Sequence, residues 1–175
     1  KRLNIPIIRR SELLAIIAAS KKTIAVGGTS GKSTTSAMLF DILEYAGMQP
    51  SIISGAGLVS IIKGGKIGNA KVGKGEWLVI GADESDGSIV QYHPEIGLLL
   101  NVDKDHKEMQ ELMEVFSTFK KNSKKFIVNQ SHPLAKQLSQ DSQFDFSTDA
   151  NSTGRYIAKG FLQNGFAFHF TIDQT

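Results

Sequence analysis

The stretch GGTSGKSTT, residues 27–35, puts glycines, one lysine and a run of hydroxyls into nine positions. Glycines let backbone N–H groups turn together toward a phosphate. Lys32 would place a point charge on the β- and γ-phosphates, and Ser33 would offer its hydroxyl to Mg2+. The usual phosphate-loop spacing, G-x-x-x-x-G-K-[ST], asks for glycine at position 26. That position is Val26, so the loop is one residue short. Two further groups carry chemistry. Asp83, Glu84 and Asp86 in ADESD offer the hard oxygens that Mg2+ prefers. In NVDKDH, His106 stands beside Asp105, and a carboxylate can orient an imidazole on a metal. Any one acid taken alone reads more simply as a solvated loop residue or a helix cap. His93 and His132 each precede proline, and His169 falls in an alternating strand, so none of the three is assigned chemistry.

These groups need elements that bring them together. KTIAVGG (22–28) is a short apolar run, read as a buried strand that ends in the loop. KSTTSAMLFDILEYAG (32–47) carries apolar residues at helical spacing and Gly47 at the helix C′ position. A helix is expected over 10–20 with Ser11 as N-cap, and strands in PSIIS, EWLVIGADESD, EIGLLLNVDKDH, KKFIVN and QFDFS. KEMQELMEVFSTFKKN (107–122) reads as an amphipathic helix and PLAKQLS as a short one. Residues 58–72 read as a hairpin turning at Gly64-Gly65, and the tail from Arg155 as a second hairpin around Asn164-Gly165. Strands alternating with helices imply an α/β fold: a mostly parallel sheet with helices on both faces, plus antiparallel hairpin additions. Ligands of such sheets bind beyond the carboxyl ends of the strands. The loop, the acids and the His all fall at strand ends of that kind.

Composition narrows the partners. With 175 residues one domain is expected, and 41% hydrophobic residues suffice for a core. No apolar run approaches the roughly 18 residues that span a membrane, so no membrane partner is expected. The net charge is +3. Its densest group, Lys120, Lys121, Lys124 and Lys125, has few aromatics beside it and reads as a solvated helix end, so no nucleic-acid partner is expected. The absence of cysteine excludes disulfides, zinc-thiolate sites and a Cys nucleophile. It fits a cytoplasmic protein.

The three groups together resemble the Mur ligase family, the ATP-dependent amide-bond-forming enzymes of peptidoglycan precursor synthesis. Gly28-Thr29-Ser30-Gly31-Lys32-Ser33-Thr34 is similar to the family's short loop, G-T-x-G-K-[ST]-[ST], which accounts for the missing residue. ADESDGS (82–88), HPEIGLLLNVDKDH (93–106) with its N-x-x-x-D-H ending, GAGLVS (55–60) and IPIIRRSELLAIIA (5–18) resemble the alanine-adding branch. The resemblance implies ATP and Mg2+ as cofactors, and UDP-N-acetylmuramate and L-alanine as substrates joined through an acyl phosphate. It implies ATP binding by Gly28 to Thr34, catalytic roles for Lys32 and His106, and metal ligation by Ser33, Glu84 and His106. It also implies that residues 1–20 are the linker and leading helix from an N-terminal domain. Residues 21–175 are then a central ATP-binding domain truncated at its C-terminus, expected not to ligate by itself.

This chain departs from the pattern at three places. Ser30 stands where many alanine-adding members have His, Ser33 where they have Thr, and Lys107-Glu108 follows the Asp-His pair. Several family members use a carbamylated lysine at about the distance of Lys121, which the alanine-adding branch need not have. Two alternatives within reach are a ligase that attaches a whole peptide to UDP-N-acetylmuramate in cell-wall recycling and a non-catalytic nucleotide-binding paralogue. The first tends to carry an aromatic where Ser85 stands. A folylpolyglutamate synthase has a similar loop but is disfavoured by ADESD. A kinase or GTPase would not require the acid and His groups in this order, and no N-K-x-D is present.

Overall fold

The computed structural model describes residues 5–65, 67–103 and 108–174. Helix α1, Arg10–Ala19, starts two residues earlier than a Ser11 cap would set it. Its N-cap is Arg9, whose backbone N–H is held by Glu12 Oε2 at 2.6 Å. Ser11, expected as the cap, therefore lies in the first turn, because the glutamate three residues on satisfies the leading donor. Strand β1, Lys22–Gly27, is buried from Thr23 onward, as a central strand covered on both faces must be. Helix α2, Lys32–Tyr45, closes with Gly47 N–H on Glu44 O at 2.9 Å and Met48 N–H on Leu43 O at 3.0 Å. That is the pair of bonds that ends a helix at a C′ glycine.

Residues 58–72 do not form the expected hairpin. After β2, Ser51–Ile53, they hold a short helix, α3, Val59–Lys63, and a two-residue strand, β3, Ala70–Lys71, antiparallel to β2. Leu58 and Ile61 decide this. They are buried together with Phe40, Ile52 and Val79. A helical turn puts positions three apart on one side, whereas a strand would send them to opposite faces.

Strands β4, Trp77–Gly81, β5, Ile96–Leu99, and β6, Lys125–Val128, complete a six-stranded sheet in the order β3-β2-β4-β1-β5-β6. All its pairings but β2–β3 are parallel. Side chains alternate along β4. Leu78 and Ile80 join the cluster of Phe116 and Phe119, which belong to helix α4, Met109–Asn122, while Val79 packs on the other face with Phe40 of α2. Helices thus cover both faces. Phe119 meets Phe126 of β6 edge-on at 5.5 Å, and each ring removed from water contributes about 1.5–3 kcal/mol. The PLAKQLS stretch holds a 3-10 turn at Ala135–Leu138.

A second sheet follows, with β7, Phe146–Ser147, parallel to β8, Tyr156–Asn164, and β8 antiparallel to β9, Ala167–Gln174. The hairpin forms as expected, with its turn at Gly165-Phe166, one residue past the expected Asn164-Gly165. Asp145 ties the two sheets. It is fully buried and accepts from Val128 N–H at 2.8 Å, Gln130 Nε2 at 2.7 Å and Ser139 Oγ at 2.5 Å. Among the described residues no helix is long and apolar enough to cross a membrane.

Candidate functional site

Strands β4, β1 and β5 are neighbours and run the same way, so their carboxyl ends open into one crevice. The loop from Gly28 to Gly31 leaves β1 there and turns into α2. Gly31 is the N-cap of α2, with φ 82° and no side chain capping the helix. The first N–H groups of a helix have no intrahelical acceptor and, with the helix dipole, favour an anion. Lys32, Ser33 and Thr34 form the first turn that presents them.

Lys32 folds back over the loop. Its Nζ donates to Gly28 O at 2.7 Å and to Glu84 Oε2 at 2.8 Å. Glu84 follows β4 and is 3% exposed. The other two acids of ADESD are used locally. Asp83 Oδ1 accepts from the N–H and hydroxyl of Ser85, and Asp86 Oδ1 accepts from Ser88 N–H. Partial burial alone would raise Asp83. The two Ser85 hydrogen bonds, with Lys32 and Arg10 nearby, outweigh it and hold the carboxyl below its ordinary value. Glu84 is therefore the buried acid that faces the loop lysine. A hydroxyl and a buried carboxylate are hard oxygen donors, the chemistry Mg2+ takes when phosphates and waters complete its shell. Among the described residues no group of three or more His, Asp or Glu is placed to hold a metal ion by itself. Ser33 and Glu84 fit the ion as partial donors in that sense. His106, with Asp105 and Lys107, lies outside the described residues.

Two residues not assigned from the sequence join this end of the sheet. Asn101, just past β5, reaches the loop. Its Oδ1 accepts from Thr29 Oγ1 at 2.9 Å and from Ser30 N–H at 3.0 Å, and its Nδ2 donates to Ser30 O and Oγ, both at 3.1 Å. The asparagine of N-x-x-x-D-H was the available signal for it. His132, past β6, gives Nε2 to Asp103 Oδ1 at 3.2 Å, while Ala135 N–H donates to its Nδ1 at 3.3 Å. A backbone N–H can only donate, so the ring proton is on Nε2. Asp103 in turn gives its own N–H to Thr29 Oγ1 at 3.0 Å. No spacing in the sequence marks His132. Beside α2 a cleft of about 370 Å³ opens between Ser33, Thr34, Asp41, Ser54, Gly57 and Ser60.

No family model matches the chain. A curated UDP-N-acetylmuramate–L-alanine ligase from Synechocystis is 41% identical over 128 residues, which cover 71% of this chain and 24% of that protein. The chain thus spans about a quarter of the length of that relative. Among solved structures, the UDP-N-acetylmuramate–alanine ligase of Thermotoga maritima superposes with a TM-score of 0.78 at 21% identity, covering 94% of this chain and 36% of that one. The UDP-N-acetylmuramate:L-alanyl-γ-D-glutamyl-meso-diaminopimelate ligase of Neisseria meningitides gives 0.77 at 20% identity, covering 98% and 59%. Both structural likenesses speak for the fold.

Proposed function

The chain belongs to the Mur ligase family, and on that premise we propose that it supplies the ATP-binding central domain of an enzyme joining L-alanine to UDP-N-acetylmuramate. The observation that carries this reading is the Lys32–Glu84 pair closed over a glycine loop at 2.8 Å, in a chain that resembles curated alanine-adding ligases. Residues 21–175 are assigned to that domain, and 1–20 to the linker and helix leading into it. The protein is placed in the cytoplasm.

The chemistry asked of this chain is positioning and charge neutralisation, on which phosphoryl transfer depends. The loop from Gly28 to Thr34 holds the ATP phosphates against the N-terminus of α2. Lys32 neutralises the phosphoryl group as it passes from ADP to the lactyl carboxylate of the sugar nucleotide. The bond from phosphorus to ADP breaks as the bond to the carboxylate oxygen forms. The amine of L-alanine then attacks the acyl carbon, gives up a proton, and phosphate departs with the electron pair. The cleft beside Ser33 and Thr34 has room for part of an acyl substrate. Mg2+, when bound, supplies charge neutralisation at the phosphates. Ser33 and Glu84 would hold it, and His106 is assigned to a second metal.

The test is ADP and phosphate release by the full-length protein with Mg-ATP. Release that needs both UDP-N-acetylmuramate and L-alanine is the expected result. Release with the sugar nucleotide and a tripeptide alone would make it a recycling ligase. Tight ATP binding without turnover under every addition would make it a non-catalytic paralogue.

A further inference from the structure

The loop does not stand free; it lies on the end of β5. Leu100 N–H donates to Gly27 O at 3.1 Å, which carries the β1–β5 pairing one step beyond the strands. Gly28 then crosses so close that a Cβ there would meet Asn101 Oδ1 and Leu100 Cβ at 3.2 Å each, and its φ of 139° is open to glycine alone. At Gly31 a Cβ would meet Leu100 Cδ1 at 3.3 Å. Between these two glycines the Asn101 carboxamide takes Thr29 Oγ1 and Ser30 N–H on its oxygen, and gives its NH2 group to Ser30 O and Oγ. Ser30 N–H can only donate and Ser30 O can only accept, so the orientation of the amide is fixed by its partners.

We propose that Asn101 is a positioning residue that presets the phosphate loop, holding Thr29 and Ser30 so that the N–H groups of α2 converge on the phosphates of a nucleoside triphosphate; this rests on the nucleotide-binding reading above. Binding to a preset loop saves the ordering entropy that a mobile loop would lose on contact. The contact spans 71 residues of sequence at Ser30, so it joins the loop to a different strand from the one that delivers it. It also gives Ser30 a defined task. Its hydroxyl is the second acceptor for the Asn101 amide. The same Thr29 hydroxyl that donates to Asn101 accepts from Asp103 N–H, so the segment after β5 grips the loop at two consecutive residues.

The experiment is a calorimetric titration of the full-length protein and its Asn101→Ala, Ser30→Ala and doubly substituted variants. The probes are a non-hydrolysable ATP analogue, inorganic tripolyphosphate and adenosine. Thermal melts confirm that each variant is folded at the titration temperature. Expected is an about tenfold loss of affinity for the analogue and for tripolyphosphate in Asn101→Ala, the size of one or two net hydrogen bonds lost, with adenosine affinity unmoved. Ser30→Ala, which deletes one contact and keeps the backbone ones, is expected to cost about twofold to threefold alone and nothing further on top of Asn101→Ala. Equal tripolyphosphate affinity in wild type and Asn101→Ala would overturn the proposal. So would a loss shared equally by adenosine, which a general loosening of the domain produces. A wild-type protein that binds none of the three probes would overturn the nucleotide reading itself, and the proposal with it.

Discussion

Among the described residues two carboxylates are buried, Glu84 past the carboxyl end of β4 and Asp145 just before β7, and they are satisfied in different ways. Asp145 is fully buried and takes three neutral donors, Val128 N–H, Gln130 Nε2 and Ser139 Oγ. Glu84, 3% exposed, takes the lysine ammonium of the phosphate loop. The first set is neutral, and its backbone member, Val128 N–H, is fixed by strand β6. Lys32 is a side-chain cation that keeps 21% of its surface exposed, and a phosphate can draw it away. An acid whose partner is exchangeable is available to a ligand cation; an acid bound by backbone and amide groups is a structural joint. On the proposed reading, that difference more than burial separates Glu84 as a metal donor from Asp145 as a structural joint.

The comparison breaks most visibly at Lys32. Lys32→Ala is expected to lower ATP turnover of the full-length protein by about a thousandfold, the scale of losing a charge-stabilising donor in the transition state. It also leaves Glu84 without its cation, which destabilises a buried pair. Adding Glu84→Gln to Lys32→Ala should restore the melting temperature without restoring turnover. Recovery of both would assign Lys32 a structural role. Next in size is Asp145→Ala. Three donors lose their acceptor, at a cost of roughly 3 kcal/mol, or about 10 °C in Tm for a chain of this length. Nucleotide affinity should stay unchanged below the transition. A fall in affinity would mean that the joint between the sheets reaches the loop.

Those two residues were unequally legible. Lys32, with Gly31, Ser33 and the flanking strand and helix, is a contiguous motif whose chemistry depends on local spacing. The α/β class followed from the same local alternation of apolar runs. Asp145 belongs to no motif, and its partners lie on β6 and the following turns. The contacts of Asn101 and His132 were not foreseen for a related reason. Their contacts cross 71 and 29 residues of sequence; Asn101 stood in N-x-x-x-D-H, whereas no neighbouring residue type marks His132. The segment 58–72 failed differently. Its hairpin reading rested on Gly64-Gly65, whereas the helix is decided by Leu58 and Ile61 packing with Phe40 and Val79, which a local pattern does not include. Ser11 lost the cap to Arg9 because the side chain that decides, Glu12, acts on the backbone before it.

A smaller effect sharpens the contrast from the side of Glu84. Glu84→Gln keeps an oxygen for Lys32 and removes the charge that holds it. Titration without divalent metal is expected to show ATP binding tightened by on the order of tenfold, since a negative charge leaves the phosphate site and Lys32 is freed. Addition of Mg2+ should then improve binding less than it does in wild type. The melting temperature should move little, unlike that of Asp145→Ala. Weaker metal-free binding in Glu84→Gln would show that the lysine is positioned by the pair and not released from it.

The smallest expected effect lies one residue before Glu84. Asp83 titrates below its ordinary value because the Ser85 bonds, Lys32 and Arg10 outweigh partial burial. A depressed carboxyl adds stability that is present above its unfolded value and is lost as pH falls through the lower folded value. Ser85→Ala removes the hydroxyl bond of 2.7 Å and leaves the backbone bond of 3.0 Å. Carboxyl chemical shifts followed by NMR should show Asp83 moving up toward its ordinary value, with acid unfolding beginning at slightly higher pH. Lys32→Ala should move Asp83 upward as well, by less, because its charge ranks behind the Ser85 bonds. If Lys32→Ala shifts Asp83 more than Ser85→Ala does, then the lysine's field extends across the whole acidic turn, and the assignment of Lys32 to Glu84 alone must widen to include Asp83.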